Sequence, residues 1–145
     1  MTKVYFHSAD RQLTIPNKTA LKQFVETIFK KEKHPLQEIR YIFCSDDYLL
    51  QINRDHLQHD YYTDIITFDL SEGNGTIGEV YISLDRVKDN AKTHETTYPT
   101  EARRVIFHGA LHLCGYKDKS KADAVNMRKM EDLYLKKYLV FLDKQ

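Results

Sequence analysis

Residues 100–116 carry the sequence TEARRVIFHGALHLCGY, which predicts a helix with apolar side chains on most of its circumference. Tyr98-Pro99 places a proline in the first turn of this helix, where a missing backbone N–H is tolerated, and Gly115 supplies a stop signal. A helix that is apolar on most faces lies inside a protein rather than on its surface. We therefore expect a buried helix.

A narrow polar stripe runs along this helix and contains Glu101, Arg104, His108 and His112. Buried polar groups cost free energy unless they are paired or coordinate an ion. His108 and His112 are four residues apart, so both imidazoles lie on one face, about one turn and roughly 6 Å apart, where they can bind one metal ion. Two interpretations of Arg104 stay open: it pairs with Glu101, or it contacts a substrate phosphate.

The residues that follow complete a pattern of metal ligands. Gly115 and Asp118 extend the histidine pair to His-x-x-x-His-x-x-Gly-x-x-Asp. This spacing has the geometry of the metzincin signature, in which two helix ligands are joined by a third ligand after a glycine turn. Two imidazoles and a carboxylate suit zinc, and three protein ligands leave one position for water. We predict one catalytic zinc ion bound by His108, His112 and Asp118.

The rest of the chain alternates strand and helix patterns. A turn with Gly and Asn over residues 71–76 joins two strand-like runs as a hairpin, and Ser120 opens an amphipathic C-terminal helix. The predicted strands are residues 3–6, 39–44, 64–68 and 78–83, and the other predicted helices are residues 19–31, 46–57 and 84–92. This order predicts an α+β fold, a small mixed β-sheet covered by helices, with a single domain over residues 1–145 and the metal site on the buried helix.

Composition narrows the possible functions. The chain has 145 residues, with 22 Lys and Arg against 21 Asp and Glu, so its net charge of +1 creates no global field toward nucleic acid or a membrane. Its 2 Cys exclude a four-thiolate zinc site and a disulfide framework, whereas 7 His leave imidazole ligands available. The first residues lack a signal-peptide pattern, and no apolar run is long enough to span a membrane. We expect a cytoplasmic protein without a membrane partner.

The stretch HGALHLCGY at residues 108–116 resembles the signature His-Gly-x-Leu-His-Leu-x-Gly-Tyr-Asp-His of the YbeY family, metal-dependent endoribonucleases also called rRNA maturation factors. Residues 53–68 are similar to its motif Asn-x-x-Tyr-Arg-x-Lys-Asp-x-Pro-Thr-Asp-Val-Leu-Ser-Phe, and residues 78–80 stand where the family has Gly-Asp-Ile. The resemblance covers most of the chain. It implies one α+β domain that binds one zinc ion and cleaves single-stranded RNA. It also implies a role in 3′-end processing of small-subunit (16S) ribosomal RNA and in ribosome quality control, with the ribosome or ribosomal proteins as partners.

Three departures from the family pattern bear on the chemistry of the site. Asp118 stands in place of a third histidine, and its negative charge would make a bound metal a weaker Lewis acid. Leu57 replaces the family arginine most readily assigned to phosphate contact, and His59 replaces the family lysine. Four residues are candidates to compensate: Arg104 and His59 as catalytic residues, Arg54 and Lys117 as RNA-binding residues. The sequence does not choose among them.

The leading interpretation is metal-assisted hydrolysis of phosphodiester bonds in single-stranded RNA, whose exposed bases can stack on aromatic side chains. A zinc metallopeptidase is one alternative. The histidine spacing favours it, and Gly109 disfavours it because a protease carries its general-base glutamate at that place. The other alternative is a ribosome-associated binding protein whose zinc ion is structural.

Overall fold

The computed structural model describes residues 2–145 and forms four strands and five helices within that range. In chain order the elements are β1 (Val4–Ser8), α1 (Lys18–Lys31), β2 (Leu36–Cys44), α2 (Asp46–Leu57), β3 (Ile65–Asp69), β4 (Thr76–Ser83), α3 (Leu84–Thr93), α4 (Tyr98–Leu113) and α5 (Lys121–Asp143). The predicted α+β class is confirmed. Each predicted element is present, with ends shifted by a few residues.

The four strands form one sheet in the order β1-β2-β4-β3. β1 and β4 both pair parallel with β2, so that Val4 and Gly78 lie on either side of Ile39. β3 pairs antiparallel with β4, as the turn between them predicted, and Ile66 lies opposite Tyr81. The sheet is therefore mixed, with β3 as an antiparallel edge strand.

Helix α4 is the buried helix that the sequence predicted. It packs against helices α1, α3 and α5 and against strands β3 and β4 of the sheet. Its side chains Ile106, Phe107, Ala110 and Leu111 are all 0% exposed, because neighbouring elements pack around most of the helix. Burial of this apolar surface is the main favourable contribution to the fold.

Two glycines allow α4 to lie directly against the sheet. A Cβ atom on Gly109 would come within 2.9 Å of Val80 Cγ1, and one on Gly78 within 2.6 Å of Leu113 Cδ1. Real Cβ contacts do not occur at such distances, so a larger residue at either position forces the helix or its neighbour to move. This close approach sets the polar stripe of α4 beside the start of β3.

The ends of α4 follow the signals in the sequence. The Thr97 hydroxyl accepts a hydrogen bond from the Thr100 backbone N–H at 3.2 Å and caps the first turn. After Leu113 the chain turns through Gly115, whose φ of 102° lies in the left-handed region that favours glycine. This turn reverses the chain and returns Asp118 toward the helix.

Cys44 and Cys114 are both buried, and their thiols are free. Burial raises the pKa of the Cys44 and Cys114 thiols to about 12, which suits core residues rather than nucleophiles. Across residues 2–145, none of the helices combines the length and apolar character that crossing a membrane requires.

Candidate functional site

A cavity of about 490 Å³ lies where α3, α4, α5 and the start of β3 meet. All four residues of the polar stripe line it, and so does Asp118 from the loop after α4. Arg128 and Glu131 from α5 and Asp64, which precedes β3, also line it. The structure therefore brings the three predicted metal ligands to one cavity.

His108 makes contacts through both ring nitrogens. Its Nδ1–H donates a hydrogen bond to Oε2 of Glu131 at 2.7 Å, and its Nε2 lies 3.3 Å from Oδ2 of Asp118. Burial of the imidazole lowers the pKa of His108, but the bond to Glu131 and the charges of Glu131, Asp118 and Asp64 outweigh burial. The net pKa of His108 is therefore raised, and the ring is held between two carboxylates.

His112 lies one turn further along the same face and is exposed at the mouth of the cavity. Its Nδ1–H donates to the backbone carbonyl oxygen of Tyr116 at 3.1 Å. The Tyr116 hydroxyl donates to Oε1 of Glu32 at 2.7 Å, and the Tyr134 hydroxyl donates to the other oxygen of the same carboxylate. The backbone that orients His112 is thus tied to the C-terminal end of α1 through Glu32 and to the middle of α5 through Tyr134.

Arg104 pairs with α5 rather than with Glu101, so the i, i+3 pairing considered from the sequence is wrong. Its two terminal nitrogens bind Oε1 of Glu131 at 3.1 Å and Oδ1 of Asp132 at 2.7 Å. Burial lowers the pKa of Arg104, but these hydrogen bonds outweigh burial and raise it. The Arg104 side chain is only 14% exposed, so a phosphate would have to displace a carboxylate to reach it.

Two further carboxylates face the cavity. Glu101 is 3% exposed, and its Oε1 lies 3.6 Å from Nδ1 of His94, without a hydrogen bond to any residue that the structure describes. Burial raises the pKa of Asp64, and Glu101 and Glu131 add to the effect, although His108 opposes it. A raised pKa makes Asp64 a stronger proton acceptor than an ordinary surface aspartate.

The donor set fits zinc. Nδ1 of both histidines is hydrogen-bonded to protein oxygens, which leaves each Nε2 as the ligand atom, the arrangement that metal-binding histidines have. No three His, Cys, Asp or Glu side chains between residues 2 and 145 are already gathered as a ligand set. His112 and Asp118, the two proposed ligands beside His108, both lie at the surface.

The other predicted functional residues lie outside the cavity wall. Arg54 is held by Asp60, with Nε 2.5 Å from Oδ1, and both side chains are exposed. His59 stacks on Tyr61 in the loop between α2 and β3, at 5.1 Å between ring centroids. Lys117 is exposed in the turn between His112 and Asp118. Of the four candidates for catalysis or RNA binding, the structure places Arg104 alone in the wall of this cavity.

Sequence reasoning missed Glu131, although a signal was present. Glu131 follows Met127 by four residues and precedes Tyr134 by three, so it lies on the buried face of α5. A carboxylate within an apolar stripe indicates a buried partner. That partner is on α4 and could be identified only after the two helices were placed together.

The fold and the site define an α+β protein with a cluster of histidines and carboxylates on a buried helix. The sequence profile described as Endoribonuclease YbeY matches residues 5–139. Endoribonuclease YbeY of Cytophaga hutchinsonii is 51% identical over 133 residues, covering 91% of this chain and 93% of that protein. Endoribonuclease YbeY of Parabacteroides distasonis is 43% identical over 129 residues, covering 89% and 91% respectively. The chain belongs to the YbeY endoribonuclease family, and the predicted family is confirmed.

A solved structure supports the fold. The solution structure of TM1509 from Thermotoga maritima matches with a TM-score of 0.64 and covers 97% of this chain and 92% of that protein. The two sequences are 24% identical. This likeness concerns the fold alone.

Proposed function

We propose that this protein is a zinc-dependent endoribonuclease that cleaves single-stranded RNA in the cytoplasm, and that it acts in 3′-end maturation of 16S ribosomal RNA and in ribosome quality control. One observation carries the proposal: His108 Nε2 lies 3.3 Å from Asp118 Oδ2 in a cavity that His112 also lines. The names of the relatives, endoribonuclease YbeY, support RNA as the substrate class.

The charge of the cavity supports a bound cation. Four carboxylates and two guanidinium groups line it, and one of those guanidinium groups, Arg104, is already paired. A phosphodiester anion would be repelled by such a wall unless a cation offset its charge. The residues that would hold zinc are His108, His112 and Asp118.

The residues of the site have distinct parts in the proposed reaction. Bound zinc supplies a Lewis acid for the phosphate and a more acidic water. Glu131 holds Nδ1–H of His108 and so directs Nε2 into the cavity, and the Tyr116 carbonyl does the same for His112. Asp64, with its raised pKa, is placed to accept a proton at its carboxylate.

The geometry argues against the metallopeptidase alternative. Residue 109 is Gly, and its Cα faces Val80 and Ile65 of the sheet rather than the cavity. A general base at that position would therefore not reach a substrate. A structural zinc site has four protein ligands as a rule, whereas the site proposed here has three, which favours the catalytic interpretation over the structural one.

The proposal is tested with purified protein, its metal content and a labelled single-stranded RNA. Wild-type protein is expected to hold one zinc ion per chain and to cleave the single strand faster than a duplex of the same sequence. His112→Ala is expected to lose zinc and cleavage together while its fold is preserved, because His112 is exposed. His7→Ala, which changes an exposed histidine that does not line the cavity, is the matched control.

The outcomes separate the alternatives. Zinc at full occupancy without RNA cleavage would contradict the enzyme proposal and favour a structural ion. Cleavage that persists unchanged in His112→Ala from a parallel preparation would contradict the site or indicate a contaminating nuclease. For the role in maturation, cells that carry His112→Ala as their only copy are expected to accumulate 16S precursor with an extended 3′ end.

A further inference from the structure

The loop between α2 and β3, residues 58–64, exposes a group of aromatic rings. Tyr61 is 56% exposed and Tyr62 is 52% exposed. The rings of Tyr61 and His59 are stacked, with centroids 5.1 Å apart and planes 20° from parallel, and the Tyr61 hydroxyl lies 3.0 Å from His59 Nδ1. We name His59, Tyr61 and Tyr62 the aromatic platform.

The loop backbone beneath the platform is anchored. The side-chain amide of Asn53, a residue 2% exposed, donates to the carbonyl oxygen of Tyr61 at 2.8 Å. The guanidinium of Arg86 lies over the ring of Tyr62, 5.7 Å from its centroid. Because a buried amide fixes this backbone, the rings are displayed on a supported loop. His59 covers one face of the Tyr61 ring and Arg86 covers one face of the Tyr62 ring, so each exposed ring has its other face for a ligand.

The platform lies beside the candidate site. Thr63 and Asp64 line the cavity, and Tyr61 precedes Thr63 by two residues. Consecutive Cα atoms are about 3.8 Å apart, so the Cα of Tyr61 lies within about 7.6 Å of that of Thr63. A strand that enters the cavity from this side would therefore pass over the platform.

The charges around the platform offer little attraction for phosphate. Arg54 is paired with Asp60, and Arg86 is paired with Asp46 at 3.0 Å. The net charge of the whole chain is +1. Phosphate contacts dominate affinity where unpaired Lys and Arg side chains follow the backbone, and these paired arginines do not provide them. Stacking on aromatic faces is the other means of holding a single strand.

We propose that the aromatic platform stacks bases of single-stranded RNA as the strand enters the cavity, so that this chain holds its substrate by stacking more than by phosphate contact. This inference rests on the proposed function, because it names how the substrate of that site is held. It requires unpaired bases, since a duplex hides their faces.

The test measures the affinity of the zinc-loaded protein for a short fluorescent single strand made with 2′-O-methyl nucleotides, and gel electrophoresis of the recovered strand checks that it stays intact. Tyr61→Ala and Tyr62→Ala are each expected to raise Kd by about tenfold, the effect of losing one stacked base. Tyr61→Trp keeps a ring and is expected to retain affinity. Tyr5→Ala is the matched control, because Tyr5 is also exposed and stacks on a histidine, His7, away from this loop.

Salt dependence gives a second readout. For single strands, each phosphate contact adds about 0.7 to the steepness with which log K falls as log salt concentration rises. We expect a slope of about 2 or less for the wild-type protein, since stacking is insensitive to salt. A steep slope, together with unchanged affinity in Tyr61→Ala and Tyr62→Ala, would overturn the stacking proposal.

The two proposals fail in different ways. If the wild-type protein binds and cleaves single-stranded RNA but both alanine variants keep full affinity, the platform proposal fails and the proposed function stands. If Tyr5→Ala weakens binding as much as Tyr61→Ala, the platform has no special role and the proposal also fails. If the wild-type protein neither binds nor cleaves the single strand, the proposed function itself fails.

Discussion

Nδ1 of His108 and Oε2 of Glu131 lie 2.7 Å apart and join the buried helix α4 to the C-terminal helix α5. Each oxygen of Glu131 has one partner, since Arg104 binds Oε1 at 3.1 Å. The carboxylate therefore fixes the ring of a predicted zinc ligand, while a guanidinium fixes the carboxylate. Glu131 is 5% exposed, so its charge depends on these two partners rather than on water.

Removal of the Glu131 charge should weaken metal binding. Glu131→Gln is expected to lower zinc affinity by about 10- to 100-fold, because the partner that orients His108 and raises its basicity is lost. Competition with a chromogenic chelator measures this change. Asp132→Asn, which alters the exposed partner of Arg104, should leave affinity near the wild-type value. Equal losses in both variants would contradict the assigned role of Glu131.

Removal of Arg104 should destabilise the fold. Arg104→Met leaves Glu131 with one partner in a buried position, and breaking a buried ion pair costs about 3 kcal/mol in the free energy of unfolding. Urea denaturation at neutral pH measures this loss in the free energy of unfolding. Arg54→Met breaks an exposed pair with Asp60, which solvent screens, and should cost much less than Arg104→Met. Similar values for the two variants would show that burial does not govern these pairs.

A methyl group at position 109 should destabilise the protein even though alanine is the better helix former. Gly109→Ala gains about 1 kcal/mol of helix propensity, but its Cβ would meet Val80 Cγ1 at 2.9 Å, and such overpacking costs about 1–3 kcal/mol. Thermal unfolding measures the net change, which we expect to be a loss. Gly73→Ala is the control, because no atom lies within 4 Å of its added Cβ. A stabilised Gly109→Ala variant would contradict the close packing of α4 on β4.

The phenol of Tyr116 should make stability fall at alkaline pH. Burial, together with the hydrogen bond to Glu32, raises the pKa of Tyr116 from about 10 to about 12. A pKa that is higher in the folded state contributes stability below about pH 10, and this contribution is lost as pH rises toward about 12. Tyr116→Phe is therefore expected to lose less stability than the wild type between pH 9 and pH 11 in urea denaturation. An equal loss in the two proteins would contradict a raised pKa at this position.

The elements of the fold could be predicted from the sequence because their signals are local. The apolar circumference of α4, the proline in its first turn and Gly115 after its end are set by neighbouring residues. The runs of β-branched and aromatic residues in the strands and the turn between β3 and β4 are local in the same way. The sequence could indicate the part of the candidate site whose residues, His108, His112 and Asp118, share one helix and the turn that follows it.

The class of fold, the family and the three residues proposed to hold zinc therefore follow from the sequence alone. The hydrogen-bond and ion-pair partners of the polar stripe depend on the tertiary structure. Arg104 turns to Glu131 and Asp132 rather than to Glu101, because α5 packs against α4 and supplies buried carboxylates there. Pairing between residues distant in sequence depends on how helices pack. The spacing of residues along one helix specifies only which side chains share a face, so it cannot specify which distant residues pair.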